Sequence, residues 1–244
     1  MYNSKYSKFL TIALIIIIIL IVGLLIFWGV DTLVKYNVNN ESEDGIAAFK
    51  NQTQSGGSVN LILPTGNTTN NSIANNIITD PYANLVIPDV NNGQDNGGSS
   101  SSGTSTGQNG EVLYKGFPMM GYIEIPKTDI KYPILKDATK EAMEKSVCIL
   151  TGVGLNQPGV TVISGHNYRN GLFFSNNAKL ATGDKINITD NSGKTIVYEI
   201  YKKYQTTPED ASFTTVDTEG KREIVLTTCT DDSKNRIIIC AREV

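Results

Sequence analysis

Three neighbouring segments near the end of the chain decide the fold: EIVLT at 223–227, TCTDDSK at 228–234 and RIIICA at 236–241. The outer two are rich in β-branched residues and the middle one is polar, which predicts two antiparallel strands joined by a turn. In such a hairpin the last residue of the first strand lies beside the first residue of the second. Cys229 and Arg236 are therefore predicted at the same end of a sheet, with the thiol next to the guanidinium.

The chain before this hairpin contains more segments of the same kind. Turn signals such as DNSG at 190–193 separate several of them, and helical patterning is limited to residues 139–146 and the region around 176–180. Many short strands with few helices are typical of a closed or nearly closed β-barrel or of a sandwich. Residues 111–244 have the ordinary size of one domain. The predicted strands are 122–125, 130–134, 160–164, 185–189, 195–204, 223–228 and 236–242.

The N-terminal region contains a long apolar segment, residues 9–30, which has no charged residue and is dominated by Ile and Leu. At about 1.5 Å per residue, a helix of this length crosses a hydrocarbon core of ~30 Å. Lys5 and Lys8 precede it and Asp31 follows it, so we predict a cytoplasmic N-terminus at 1–8, a single transmembrane helix and an exported remainder.

Two alternatives to a membrane anchor are a cleaved signal peptide and a buried core helix. A signal peptide has a shorter apolar region and ends in a small-x-small cleavage site, which the sequence does not show. A core helix is hard to reconcile with continuous apolarity over this length, because such a segment leaves no polar face.

Residues 31–110 are rich in Asn, Gly, Ser and Thr, and we predict an extracellular linker over this range. Residues 91–110 contain no aliphatic or aromatic side chain. Such a segment cannot offset the entropy lost on ordering, so the prediction is a disordered tether before the domain at 111–244. A short helix at 41–50 is compatible with the sequence.

Composition excludes several classes of function. The net charge is −3, and residues 111–244 contain equal numbers of basic and acidic residues, so we expect no basic face for nucleic acid. The three cysteines, at 148, 229 and 240, have no metal-ligand spacing, and no cofactor motif is present, so we expect neither a metal nor a cofactor. An odd number of cysteines in an exported protein argues for at least one free thiol.

The only histidine, His166, follows the predicted strand 160–164 and so lies at a strand end. If the strands share one edge of a barrel, His166, Cys229 and Arg236 can converge. A thiolate is the reactive form of cysteine, and acyl transfer also needs an acid for the leaving amine and a positive group for the oxyanion. These three residues can supply one role each.

The same residues also have purely structural interpretations. His166 can be a surface residue, Cys229 a small buried apolar side chain, and Arg236 the ion-pair partner of Asp231 or Asp232 in its own turn. Spacing alone leaves these alternatives open.

The motif TTC at 227–229, with Arg236 seven residues after the cysteine and GHN at 165–167 upstream, resembles the sortase family. Further similarities follow in the expected order, and the resemblance covers residues 114–243. It implies an eight-stranded β-barrel and a cysteine transpeptidase at the outer face of the membrane of a Gram-positive-type bacterium. The supporting matches are GYIEIPK at 121–127, Pro133-Ile134, Leu180 with Gly183-Asp184, and Pro208-Glu209-Asp210.

The resemblance also implies residue roles. Cys229 would attack the Thr–Gly bond of an LPxTG-like sorting signal, and His166 would protonate the leaving amine and then assist the incoming one. Arg236 would hold the substrate and stabilise the oxyanion, with Thr228 and Thr230 expected to bind substrate beside it. An amine of a cell-wall precursor or of a pilin would resolve the thioester. Cys148 and Cys240 lie in apolar segments, and we expect them to be buried and inert.

Other motifs have two interpretations. Asp80-Pro81-Tyr82 resembles the lid tripeptide of pilin-building sortases, and LPTG at 63–66 resembles a sorting signal that lacks one residue; both are otherwise turns. Against a lid, the Gly/Ser tract holds the tripeptide at low effective concentration, and the Cys–Arg spacing is shorter than in that class. Some sortases bind calcium near the region of the acidic residues at 209, 210, 217 and 219, but a solvated acidic loop fits here, because calcium takes six or more oxygen ligands.

Two other functions remain compatible with these residues. One is a thiol peptidase that releases its product to water, and the other is a non-catalytic surface adhesin on an Asn-rich stalk.

Overall fold

The computed structural model describes residues 4–54, 104–106 and 111–244. Within them, the helices are α1 (Ser4–Gln54) and α2 (Lys140–Met143), and three short 3-10 turns cover Pro126–Thr128, Asn177–Lys179 and Ser212–Thr214. The strands are β1 (Thr104–Thr106), β2 (Val112–Tyr114), β3 (Phe117–Ile125), β4 (Ile130–Leu135), β5 (Val147–Gly152), β6 (Gly159–Ser164), β7 (Lys185–Asp190), β8 (Thr195–Thr206), β9 (Arg222–Cys229) and β10 (Arg236–Glu243).

Eight of these strands close into a barrel, which confirms the predicted fold. Their order around the barrel is β3-β4-β5-β6-β9-β10-β8-β7, and β7 pairs back with β3. The β4–β5 and β6–β9 pairs are parallel, and the other pairs in the barrel are antiparallel. The short strands β1 and β2 form an antiparallel pair that extends the sheet at the start of β3.

Side chains of β9 and β10 alternate between the interior of the barrel and its outer face. Ile224 and Leu226 of β9 belong to the interior core, whereas Val225 packs in a second cluster with Val162 and Phe213. Phe213 lies in the connection between β8 and β9, so this connection covers part of the outer face. Cys229 follows Val225 by four residues, so the alternation places it on the outer face of the barrel as well.

The helix α1 corrects the predicted linker, because residues 31–54 are helical and not part of a tether. The second half of α1 has a buried stripe at helical spacing, formed by Ser42, Ile46 and Phe49, with Val38 packed against the barrel core one turn earlier. This stripe packs on the barrel. Its burial stabilises the second half of α1, for which the sequence alone suggests a helix only at 41–50. The apolar residues of the first half stay exposed.

Residues 104–106 also differ from the predicted tether, because they form strand β1, which pairs with β2. The tripeptide at 80–82 and the LPTG motif at 63–66 lie outside the described residues. Those interpretations stay predictions.

Candidate active site

Cys229 and Arg236 face each other across the end of the β9–β10 hairpin. The two residues are direct partners in the register of the strands, and Nη1 of Arg236 donates a hydrogen bond to Sγ of Cys229 at 3.1 Å. The turn between them is closed by the backbone bond from Thr230 N–H to the Asn235 carbonyl, at 3.0 Å. The predicted juxtaposition of thiol and guanidinium is therefore present.

His166 lies at the same end of the barrel. The strands β6 and β9 run parallel, with Ser164 opposite Thr227, and Gly165 N–H continues the ladder by donating to the Thr227 carbonyl at 3.2 Å. Two residues further along both strands, this register brings half-buried His166 to the level of Cys229. The three candidate residues, distant in sequence, share one edge of the sheet.

The glycine before His166 is required by close packing. A Cβ added to Gly165 would lie 2.8 Å from side-chain carbons of both Phe174 and Val147, closer than such atoms approach. The chain can therefore turn from β6 into the His166 loop, residues 165–175, only with glycine at this position.

Two side chains of the His166 loop bind the β9–β10 turn, and no sequence pattern predicts a role for either of them. Asn167 donates from Nδ2 to the Cys229 carbonyl at 3.0 Å and to Oδ1 of Asp231 at 2.9 Å. Arg169 donates from Nη2 to Oγ of Ser233 at 2.9 Å. The only sequence signal for these contacts was the position of an asparagine directly after the histidine.

Aromatic rings connect the His166 loop to the helix α1. Ring centroids lie 5.0 Å apart for His166 and Tyr168, 5.7 Å for Tyr168 and Phe173, and 5.1 Å for Phe173 and Tyr132. The Tyr132 hydroxyl then donates to Oδ1 of Asn39 in α1 at 3.2 Å. The loop is thus held by the turn on one side and by an aromatic series that reaches α1 on the other.

The other two cysteines differ from Cys229 in burial. Cys148 is fully buried, and desolvation raises its pKa to about 12. Burial likewise raises the pKa of the Cys240 thiol, which is only 3% exposed. Both therefore stay neutral thiols at neutral pH, whereas Cys229 is only half-buried.

The two threonines beside Cys229 have different surroundings. Thr228 is buried, and its hydroxyl has no hydrogen-bond partner among the residues that the structure describes. The Thr230 hydroxyl is engaged within the turn, where it donates to Oδ1 of Asp232 and accepts from Asn235 N–H at 3.1 Å. Substrate binding by either residue stays a prediction.

The acidic side chains near the site accept hydrogen bonds from neighbouring loop and turn residues. Asp231 accepts from Asn167, while Asp232 accepts from Thr230 and from Lys234 N–H, hydrogen bonds that lower the pKa of Asp232. Arg236 makes no ion pair with these two carboxylates in the described structure.

In the β8–β9 connection, Asp210 accepts from Thr206 and from Ser212 N–H, and Asp217 accepts from Glu219 N–H. Over the ranges described, no three His, Cys, Asp or Glu side chains are grouped to hold a metal ion.

Comparison with known proteins identifies the family. The model of the sortase domain matches residues 123–244, which is half of the chain and includes His166, Cys229 and Arg236. The chain belongs to the sortase family. Sortase A of Bacillus anthracis is 30% identical over 124 residues, which are 49% of this chain and 58% of that protein. The match therefore spans less than two thirds of the length of this curated relative.

Several solved sortase structures are similar to about half of this chain. Sortase A from Corynebacterium diphtheriae is 29% identical, with a TM-score of 0.48, over 52% of this chain and 61% of that chain. A Clostridium perfringens sortase D5 transpeptidase is 26% identical, with a TM-score of 0.48, over 52% of this chain and 79% of that chain. Streptococcus agalactiae sortase C1 is 22% identical, also with a TM-score of 0.48, over 52% of this chain and 69% of that chain.

Proposed function

We propose that this sortase is a membrane-anchored cysteine transpeptidase with Cys229 as its nucleophile. The observation that carries the proposal is the 3.1 Å hydrogen bond from the Arg236 guanidinium to the Cys229 sulfur, at the edge that also holds the only histidine of the chain. Burial separates Cys229 from the two other thiols, because it alone is open enough to reach a substrate.

In the first half of the reaction the Cys229 thiolate attacks the carbonyl carbon of the scissile peptide bond. The charge that develops on the carbonyl oxygen is stabilised by the Arg236 guanidinium, whose planar fork of donors suits an oxyanion. The C–N bond then breaks, and the leaving amine takes a proton from the His166 imidazolium. A thioester on Cys229 remains.

In the second half an amine attacks the thioester, and His166 accepts the proton that this amine loses. The new amide bond forms and the thiolate is released, so protons and charges balance over the cycle. We propose that the donor is an LPxTG-like sorting signal cleaved between Thr and Gly, and that the acceptor is an amine of a cell-wall precursor or a pilin, as the resemblance to sortases implies.

The first half of α1 supports the membrane anchor. No part of its apolar segment is buried within the protein. A fully exposed apolar helix is unfavourable in water and is expected in a bilayer. With Lys5 and Lys8 before the apolar segment, the barrel lies on the outer side of the membrane.

Product analysis tests the activity. Full-length protein in detergent is incubated with an LPxTG-like peptide, with and without triglycine, and the products are identified by mass spectrometry. We expect the acyl part joined to triglycine, and no product with Cys229→Ala. Cys148→Ala is the matched control, which should retain activity because that thiol is buried.

Each of the other outcomes favours an alternative function. If the peptide is cleaved but only the free acid appears in the presence of triglycine, the protein is a thiol peptidase. If folded protein gives no product with a library of such peptides, the non-catalytic adhesin is favoured.

A further inference from the structure

The helix α1 is continuous from the proposed membrane span into the region that contacts the barrel. It runs from Ser4 to Gln54 and contains no proline, the residue that most often breaks or kinks a helix. The end of the apolar segment, Val30, and the buried stripe that starts near Val38 therefore belong to one rod. A barrel docked on this rod has a defined height above the bilayer.

Docking extends over several turns of α1 and uses both apolar and polar contacts. Phe49 is 1% exposed, and its ring lies edge-on to that of Tyr122 at 6.3 Å. Glu41 forms an ion pair with Lys115, and Lys131 contacts Glu43 at 3.3 Å. These contacts on successive turns fix both the position and the rotation of the barrel on the helix.

The order of contacts along α1 shows which part of the barrel is closest to the bilayer. A Cβ placed on Gly171, in the His166 loop, would lie 3.9 Å from Cε of Lys35. At the opposite end, a Cβ placed on Gly193, in the β7–β8 turn, would lie 3.7 Å from Oγ1 of Thr53. The His166 loop is thus beside the membrane-proximal part of the docked helix, and the β7–β8 turn is beside its far end.

The rise per residue of the α-helix gives the height of each contact above the end of the apolar segment. Lys35 follows Val30 by about 7.5 Å of helix rise, and Thr53 follows it by about 35 Å, at roughly 1.5 Å per residue. The polar headgroup layer is about 5–8 Å thick on each side of the hydrocarbon core. The His166 loop therefore falls at the outer edge of the headgroup layer, whereas the β7–β8 turn lies in bulk water.

The exposed side chains of the loop suit this location. Tyr168 is 45% exposed and Arg169 is exposed, and an amphipathic ring beside a cation is typical of groups at a membrane surface. On α1, the exposed side chains of Trp28 and Tyr36 lie on either side of Val30, where the apolar segment ends. We propose that the His166 loop is a membrane-contacting surface that docks on lipid headgroups, so that the candidate active site opens at the surface of the bilayer.

This inference rests on the proposed membrane anchor, and its test does not depend on catalysis. The full chain carrying Cys229→Ala is labelled with an environment-sensitive fluorophore at Arg169→Cys or, as the matched control, at Asn191→Cys in the exposed β7–β8 turn. Cys148 and Cys240 are buried and stay unlabelled in the folded protein. Both proteins are reconstituted in vesicles of phosphatidylcholine and phosphatidylglycerol in equal parts, with or without a nitroxide on the choline headgroup.

We expect the nitroxide headgroup to quench the label at residue 169 several-fold more strongly than the label at residue 191. Equal quenching, or stronger quenching at residue 191, would overturn the inference. Flotation of the vesicles tests the membrane anchor separately from the orientation of the barrel. Protein that does not float with the vesicles contradicts the anchor. Protein that floats but shows no difference in quenching contradicts only the orientation. Tyr168→Cys replaces Arg169→Cys if thermal denaturation shows that the latter is unfolded.

Discussion

At both ends of the β9–β10 hairpin an arginine pairs with a residue across the strands, but the two pairs have different surroundings. At each end an arginine of β10 lies directly opposite a residue of β9 that can bear a negative charge: Arg242 opposite Glu223, and Arg236 opposite Cys229. The Glu223 side chain is completely buried, and its Oε1 accepts from Arg242 at 2.7 Å and 2.9 Å. Arg242 also stacks over the ring of Tyr201, 5.2 Å from its centroid.

Both arginines are half-buried, and the burial of the β9 residue distinguishes the two pairs. A carboxylate that is removed from solvent needs a charged partner in a fixed position, so the Arg242–Glu223 pair has a structural role. Cys229 and Arg236 are only half-buried, so solvent reaches both side chains. The same cross-strand geometry therefore stabilises the barrel at one end and, as we propose, acts on a peptide bond at the other.

The largest expected effect separates the two arginines by activity. Arg236→Lys keeps the charge but loses the planar fork of donors, so we expect turnover to fall by about 10²–10³, the cost of removing one oxyanion donor. Arg242→Lys is the matched control and should leave turnover of the folded protein near normal. Steady-state transpeptidation by both variants makes the comparison, and near-normal turnover of Arg236→Lys would remove this residue from the site.

The next effect separates them by stability. Arg242→Met leaves the Glu223 carboxylate buried without its partner, and we expect the free energy of unfolding to fall by about 3 kcal/mol. Arg236→Met leaves no buried charge and should change this quantity by less than about 0.5 kcal/mol, as is usual where no buried group loses its partner. Urea denaturation of the two variants measures the difference; equal losses would show that burial does not distinguish the pairs.

A smaller effect concerns the docking of α1. Ile46 is 1% exposed in the contact with the barrel, and Ile46→Ala should weaken this contact by about 2 kcal/mol. We expect faster amide hydrogen exchange in the second half of α1, while exchange in β9 and β10 stays unchanged. The exposed Tyr36→Ala is the control. Unchanged exchange in the helix would contradict its docking through the buried stripe.

The smallest effect concerns Asn167, which ties the His166 loop to the turn. Asn167→Ala removes its hydrogen bonds to the Cys229 carbonyl and to Asp231, each worth about 1 kcal/mol. We expect kcat to fall by roughly tenfold with little change in KM, because a shifted histidine affects the chemical steps more than binding. Asn170→Ala is the control, because it removes a hydrogen bond from Leu172 N–H within the loop but none to the turn. A change in KM alone would assign Asn167 to substrate binding.

Much of the fold was readable from the sequence, because the barrel strands are local patterns. The β9–β10 hairpin and the strand before His166 were predicted from β-branched residues and turn signals, and their ends fixed the positions of the candidate residues. The sequence does not predict strand β5, because its short apolar segment around Cys148 shows no alternation of apolar and polar residues and indicates only burial.

Other features depend on tertiary contacts that no local pattern records. The second half of α1 buries a stripe with few apolar residues, and one of its members, Ser42, is polar and lies 3.5 Å from the Tyr114 hydroxyl. Asn167 and Arg169 act across a gap of more than sixty residues in sequence. Such pairings become visible only when the parallel β6–β9 register is known.

The central claim, that Cys229 is the nucleophile of a site shared with His166 and Arg236, is tested most directly by intact-mass spectrometry. The full-length protein is incubated with an LPxTG-like peptide without any amine, and triglycine is then added. We predict that the mass of the peptide acyl group appears on Cys229 and disappears when triglycine is added. An adduct that persists in Cys229→Ala, or the absence of any adduct on folded protein that cleaves the peptide, would contradict the claim.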